Sequence, residues 1–237
     1  EIQIVDQDFA LDEYHTVREN VRLKLLQFDE VYRSEKTEEL LELVGLTEQA
    51  DQKAKLLSGG QKQRLSIARA LALEPELLLL DEPFNQLDFK SKNRITSYLR
   101  SYFMERGLTV LMVTHNGLEA MEWADRIIYL EEGEIRRIAS PSDFYHSPQS
   151  EEEATFFGVV NEVKLDGGEI YFRPSDYSQT QSDEHTFCLK IKYVSERNMG
   201  WYRKVMFDFE GQEIQLYSIQ DVSDLDEIFV KLILQKD

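Results

Sequence analysis

Apolar positions recur along this chain with two different periods, and the change of period falls near residue 150. Over residues 35–44, Leu40, Leu41 and Val44 share one helical face, and Gly45 follows where a left-handed residue ends a helix. A second helical pattern runs over 61–73 and is stopped by Glu74-Pro75. Residues 77–80 are a continuous leucine run, the mark of a strand covered on both faces. Over 90–106, Ile95, Leu99, Tyr102 and Phe103 form one stripe, with Gly107 as its stop. A second buried strand is predicted at 108–113, a short helix at 118–124, and a strand at 126–130 that turns at Glu132-Gly133. Repeated strand–helix–strand units predict an α/β domain with a largely parallel sheet.

Residues 140–153 differ in kind. Ser140-Pro141, Ser147-Pro148 and the three glutamates 151–153 read as a connector. Beyond it the period drops to two, over 157–163, 169–172, 187–194, 201–209, 213–217 and 228–234. Gly167-Gly168 and Glu210-Gly211 supply hairpin turns. The expected organisation is an α/β domain over 1–153 and a small all-β domain over 154–237, an OB-like barrel of about six short strands.

The composition, 42% hydrophobic and 30% charged, is that of an ordinary globular chain. No apolar run approaches the roughly 20 residues that span a bilayer. The start, Glu1-Ile2-Gln3-Ile4-Val5, is strand-like and no secretory signal. Beginning there without Met, the chain is expected to be a piece of a longer one. A formal charge of −18 disfavours a nucleic-acid partner and direct adsorption to an anionic membrane; solubility accounts for it. The single cysteine, Cys188, permits no disulfide framework and is expected to be a buried strand thiol. The four histidines show no metal-ligand spacing.

Chemistry concentrates at three places. Leu57-Ser58-Gly59-Gly60-Gln61 opens a helix: Ser58 suits an N-cap, and the glycines let backbone N–H groups approach an anion at the positive end of the dipole. Taken alone, this is an ordinary Ser-Gly turn. The leucine strand that follows ends in Asp81-Glu82-Pro83, two acids at the edge where open α/β sheets bind ligands. Such acids suit holding Mg²⁺ and orienting water for attack on a phosphate. The next strand ends in Val113-Thr114-His115, at the same edge.

The run 57–88, LSGGQKQRLSIARALALEPELLLLDEPFNQLD, resembles the nucleotide-binding subunit of ABC transporters, whose core is a P-loop-NTPase-like α/β fold. The resemblance implies that Ser58, Gly59, Gly60 and Gln61 form the signature that contacts the γ-phosphate of ATP held by the opposite subunit. It makes Asp81 the Walker B acid for Mg²⁺ and Glu82 the general base that polarises the attacking water. His115 is then the switch histidine, and Asp88 belongs to the loop joining two subunits. Upstream, residues 5–11 resemble the Q-loop, with Gln7 linking Mg²⁺ and water to the membrane partner. Thr16-Val17-Arg18-Glu19-Asn20 is also family-like, and His15 lies in the stretch that, by resemblance, faces the membrane subunit, with plain solvent exposure the equal alternative.

Three departures stand out. Asn85 occupies a position where many relatives carry a small Ser, and Asp6 one where an aromatic is common. No G-x-x-x-x-G-K-[ST] phosphate loop occurs in the sequence; the family places it before the Q-loop, so truncation is the expected reason. Phe156-Phe157-Gly158 leading into Val160-Asn161, and Phe172-Arg173-Pro174, resemble the accessory β-barrel of importer subunits for sulfate, molybdate, iron and polyamines. That barrel is expected to do no chemistry. Asp221, Asp224, Asp226 and Glu227 read as a solvated charge run; Arg173, Arg203 and Lys204 read as rim bases, with small-anion sensing the alternative.

The resemblance implies an ATP-hydrolysing subunit of an importer, using ATP and Mg²⁺ and working with transmembrane permease subunits, a second copy of itself and, indirectly, a substrate-binding protein. It implies a cytoplasmic place on the inner face of the membrane and no nucleic-acid partner. The rival readings are a soluble ABC ATPase of translation or DNA repair and a truncated docking module without catalysis. The acidic charge, the lack of a coiled-coil insertion and the accessory barrel disfavour the first. The retained Glu82 and His115 argue against the second.

Overall fold

Three parallel strands organise the first part of the chain: β1 (Ile2–Val5), β2 (Leu77–Asp81) and β3 (Thr109–Val113), with β2 in the middle. The computed structural model describes residues 1–6, 10–85, 89–182 and 187–236. Two compact units result, Glu1–His115 and Asn116–Asp237.

In the first unit, α1 (Val17–Arg22), α2 (Glu30–Leu43), α3 (Gly59–Leu71) and α4 (Phe89–Arg106) join the sheet. Helix α2 starts earlier than its apolar stripe suggests, because the Asp29 side chain accepts a hydrogen bond from the Tyr32 N–H and caps it. It ends as predicted at Gly45, whose φ is +64°. There the Leu46 N–H reaches the Leu41 carbonyl at 2.8 Å and the Gly45 N–H the Glu42 carbonyl at 3.0 Å. Helix α3 packs against β1, α1 and α2 through a buried face that includes Leu65, Ala68 and Leu71.

Among the described residues the sheet is covered on one face only. Leu78 and Leu80 are fully buried, whereas Ile2, Ile4, Leu111 and Val113 on the opposite face are 50–64% exposed. The expectation of strands covered on both faces is therefore corrected. The alternation of the strands is clear, but no described element packs over the second row. By the same alternation Asp81, the register partner of Val113, belongs to the open face.

In the second unit, α5 (Gly117–Trp123) precedes a hairpin of β4 (Ile127–Glu131) and β5 (Glu134–Ala139). Residues 140–153, predicted as a connector, form two helices instead: α6 (Pro141–His146) and α7 (Glu151–Phe156). The Ser and Pro residues act as helix starts, with Ser140 and Ser150 as N-caps and Pro141 in the first turn. Phe144 and Phe157 bury themselves with Ile127 and Ala120, their rings 4.7 Å apart. The division into compact units falls after His115.

The remaining strands are β6 (Asn161–Leu165), β7 (Gly168–Ser178), β8 (Phe187–Lys190), β9 (Lys192–Asn198), β10 (Arg203–Phe209), β11 (Gln212–Ser218) and β12 (Glu227–Lys236). They form a four-stranded sheet, β6-β7-β12-β8, and a three-stranded one, β11-β10-β9. One apolar core, which includes Phe172, Phe207, Leu216 and Ile228, lies between them. The predicted strand over 187–194 is two strands. Buried Ile191 donates its N–H to the Asp226 carbonyl, and the chain passes there from one sheet to the other. Cys188 is exposed, correcting the buried-thiol expectation, because Leu189 takes the inward position of the alternation.

Side-chain amides close the seam between β6 and β11. Asn161 Nδ2 donates to the Gln215 carbonyl and its Oδ1 accepts from the Gln215 N–H, both at 2.8 Å. Gln212 bridges in the same way to the N–H and carbonyl of Lys164. Asn161→Ala leaves the Gln215 groups without these partners in a buried place and should destabilise the second unit by about 1–3 kcal/mol. Thermal unfolding followed by circular dichroism checks this; an unchanged midpoint contradicts it.

Candidate functional site

Strand β2 carries the first acid to the sheet edge. Asp81 is its last residue and pairs in register with Val113, the last residue of β3. Glu82 then adopts a φ of +45°, a left-handed conformation that costs a side-chain-bearing residue on the order of 1 kcal/mol or more. Its N–H still donates to the Val113 carbonyl at 2.9 Å, and Phe84 is buried just beyond, so both sides of the turn are anchored. The turn redirects the chain and brings the Glu82 carboxylate to His115. Glu82 Oε1 lies 2.7 Å from His115 Nδ1. Glu82 Oε2 accepts a hydrogen bond from Asn85 Nδ2. An ionised carboxylate can only accept, so Nδ1 carries a ring proton toward it. The Glu82 side chain is 25% exposed and that of His115 68%. A half-buried carboxylate beside an open imidazole is an arrangement that can take a proton from water and touch a phosphate oxygen.

The signature residues form a separate place. Ser58 caps α3 reciprocally with Gln61: Ser58 Oγ accepts from the Gln61 N–H at 3.3 Å, and Gln61 Oε1 accepts from the Ser58 N–H at 2.9 Å. Gly59 and Gly60, in the first turn, precede the intrahelical ladder, and Ser58 and Gly59 are exposed. Arg64 fixes the helix start by donating to the carbonyls of Val44 and Gly45 at 2.8 and 3.0 Å. The structure thus brings Glu82 and His115 together and sets Asp81 beside them on the sheet edge. Ser58–Gln61 stand apart at a helix start. Gln7 and Asp88 lie outside the described residues.

Residues 12–20 are tied down on both sides. Thr16 and Glu19 make a reciprocal cap on α1, and the Thr16 N–H holds the Glu19 carboxyl below its usual range. His15 Nδ1 stands 2.8 Å from Asp12 Oδ2, and that contact, with the Tyr14 N–H, lowers the Asp12 carboxyl likewise. The His15 carbonyl accepts from the Ala54 N–H at 2.9 Å, which joins this stretch to the approach to Ser58. In the same unit Tyr14, Leu26, Val31 and Leu56 are each 61–77% exposed.

The reading of Arg173 as a rim base is corrected, and with it the alternative of anion sensing through this residue. Its side chain is fully buried, and burial holds the guanidinium pKa below its ordinary value. It donates to the carbonyls of Tyr145, Ala154, Gly158 and Val159 at 2.8–3.2 Å and lies 4.2 Å from the centre of the Tyr145 ring. Arg203 pairs with Glu196. In the acidic run, Asp221 accepts from Ser223, whose N–H and hydroxyl lower its carboxyl. Sequence reasoning noted Asn85 only as a departure from a small Ser. An amide three residues after the acid, in a turn, was the available signal for its bond to Glu82.

A family profile described as ABC transporter matches residues 1–85. The sulfate/thiosulfate import ATP-binding protein CysA of Pseudomonas syringae pv. tomato is 36% identical over 235 residues, covering 96% of this chain and 71% of that protein. The protein of the same name from Thermosynechococcus vestitus is 35% identical over 230 residues, covering 91% of this chain and 68% of that one. Among solved structures, the dimeric ATP-binding cassette MJ0796 in a post-hydrolysis state bound to ADP and Pi is 37% identical, with a TM-score of 0.55 over 60% of this chain. A second dimeric structure of that bacterial ABC transporter cassette gives 36% and 0.55. The chain spans 63% of each of these cassettes.

Proposed function

Because this chain belongs to the ABC transporter family, as an importer-type ATP-binding subunit, we propose that its sheet edge hydrolyses ATP and that its α3 start serves the ATP of a second copy. The contact of 2.7 Å between Glu82 and His115, beside Asp81, carries this reading. Glu82 accepts the proton of the water that attacks the γ-phosphorus while the bond from that phosphorus to the ADP oxygen breaks. With Nδ1 donating to Glu82, His115 would reach a γ-phosphate oxygen through Nε2, which donates when the ring carries both protons. The N–H groups at the start of α3, with Ser58 and Gln61, suit a phosphate presented across a dimer. Gln7 and Asp88 take the coupling and subunit-joining roles implied by their motifs.

The acidic edge fits Mg²⁺. Among the described residues no group of three or more His, Cys, Asp or Glu is placed to cage a metal, and Mg²⁺ is commonly held by one or two carboxylates plus phosphates and waters. Asp81, with Gln7, would hold it, and when bound it offsets the charge on the β- and γ-phosphate oxygens.

Permease subunits are the partners for exposed apolar side chains such as Tyr14, Leu26 and Val31, with a substrate-binding protein acting through them. Among the described residues no helix is long and apolar enough to cross a membrane, so the proposed place on the inner face of the membrane rests on those contacts. For the cargo, the names of the relatives point to sulfur oxyanions. The uncovered row of Ile2, Ile4, Leu111 and Val113 offers a phosphate-loop segment a surface to bury, worth about 1–2 kcal/mol per side chain.

The test compares the 237-residue chain with an extended form, in which a segment bearing G-x-x-x-x-G-K-[ST], taken from an importer ATP-binding subunit, precedes Glu1. The chain alone should release no phosphate from ATP above blank, and the extended form should release it only with Mg²⁺. Steady turnover by the chain alone, or none by a folded extended form, contradicts the reading.

A further inference from the structure

We propose that Asn85 is a positioning residue for hydrolysis: its side-chain amide holds the Glu82 carboxylate in the orientation in which it accepts the water proton. The proposal rests on the general-base reading of Glu82. It starts from the left-handed turn at Glu82, which takes that side chain off the strand and leaves it a quarter exposed. A glutamate there has three side-chain torsions to fix, and one contact fixes only one oxygen. His115 Nδ1 faces Oε1, and Asn85 Nδ2 donates to Oε2, so the two donors together define the carboxylate plane. The amide orientation is not arbitrary, because a carboxylate oxygen repels the Asn oxygen and accepts from its nitrogen. The loop that carries Asn85 is itself set by buried Phe84 and by the Asn85 N–H, which lies 3.4 Å from the Glu82 carbonyl. A shorter Ser at this position has neither the reach nor the second donor hydrogen of the amide.

Two measurements test the assignment. In the nitrogen-15 spectrum of the 237-residue chain, one Asn85 amide proton should lie downfield of the free-amide range and return to that range in Glu82→Ala. An Asn85 amide that is insensitive to Glu82→Ala overturns the proposal. In the extended form, Asn85→Ala should lower kcat by about five- to tenfold with KM for ATP unchanged within about twofold. In a Glu82→Gln background, single-turnover rates with and without Asn85→Ala should differ by less than about twofold, since a residue acting only through Glu82 has nothing left to position. An equal loss in both backgrounds means that Asn85 acts elsewhere, for instance in loop folding or subunit contact, and overturns the positioning role alone. A near-wild-type rate for Glu82→Gln by itself removes the base reading, and the proposal with it.

Discussion

Replacing Glu82 with glutamine in the extended form is expected to lower ATP hydrolysis by about 10²-fold or more. Glutamine keeps the shape of the side chain, so the turn at φ +45° and the anchoring of Phe84 should persist. What is lost is the ability to take the proton of the attacking water. The substitution also changes the contact at His115, because an amide presents either oxygen or nitrogen to Nδ1, where the carboxylate always presents an acceptor. ATP affinity should stay within a few-fold, since no phosphate contact is assigned to Glu82. Phosphate release measured at saturating ATP, beside binding of a fluorescent ATP analogue, separates the two effects. Turnover within threefold of the unsubstituted protein removes Glu82 from the reaction.

The second large effect is structural. Arg173→Ala is expected to destabilise the second unit by about 3 kcal/mol or more, a fall of roughly 10 °C in its unfolding midpoint. The side chain has no exposed surface, and removing it strands the Tyr145, Ala154, Gly158 and Val159 carbonyls it serves. It also empties the space beneath the Tyr145 ring. These carbonyls lie on and around α6 and α7, so a single side chain from β7 ties the helical part of this unit to its sheets. Arg173→Lys keeps the charge but not the fork of donors, and should recover only part of the loss. Differential scanning calorimetry reads the change. A midpoint within 2 °C of the parent for Arg173→Ala contradicts the clasp.

Much of the first unit was legible because its signals are local. The leucine run of β2, the stop at Gly45 and the stripe of α4 each state an element through neighbours a few residues apart. The acids at 81 and 82 and the histidine at 115 could be placed on one edge because parallel strands end together there. Their contact could not be foreseen, since it depends on the left-handed turn at Glu82, a conformation no sequence pattern demands of a glutamate. Residues 140–153 misled because Ser and Pro mark loops and helix starts alike; what decides is the burial of Phe144 and Phe157. The passage at Ile191 was hidden for a similar reason. Alternation continues through it, and only pairing with β12 on one side and β10 on the other separates β8 from β9. Arg173 was legible as a motif residue and not as a clasp, because its partners are backbone carbonyls 14–28 residues away.

The composite site is the centre of the reading: the sheet edge of one copy and the α3 start of another act on the same ATP. The most direct measurement is the molar mass, by light scattering, of the extended form carrying Glu82→Gln, with Mg²⁺ and ATP and then with ADP. The expected result is a dimer with ATP and a monomer with ADP, with Ser58→Arg abolishing the dimer because it fills the exposed N-cap of α3. A protein that binds ATP yet stays monomeric, or a dimer indifferent to Ser58→Arg, contradicts it.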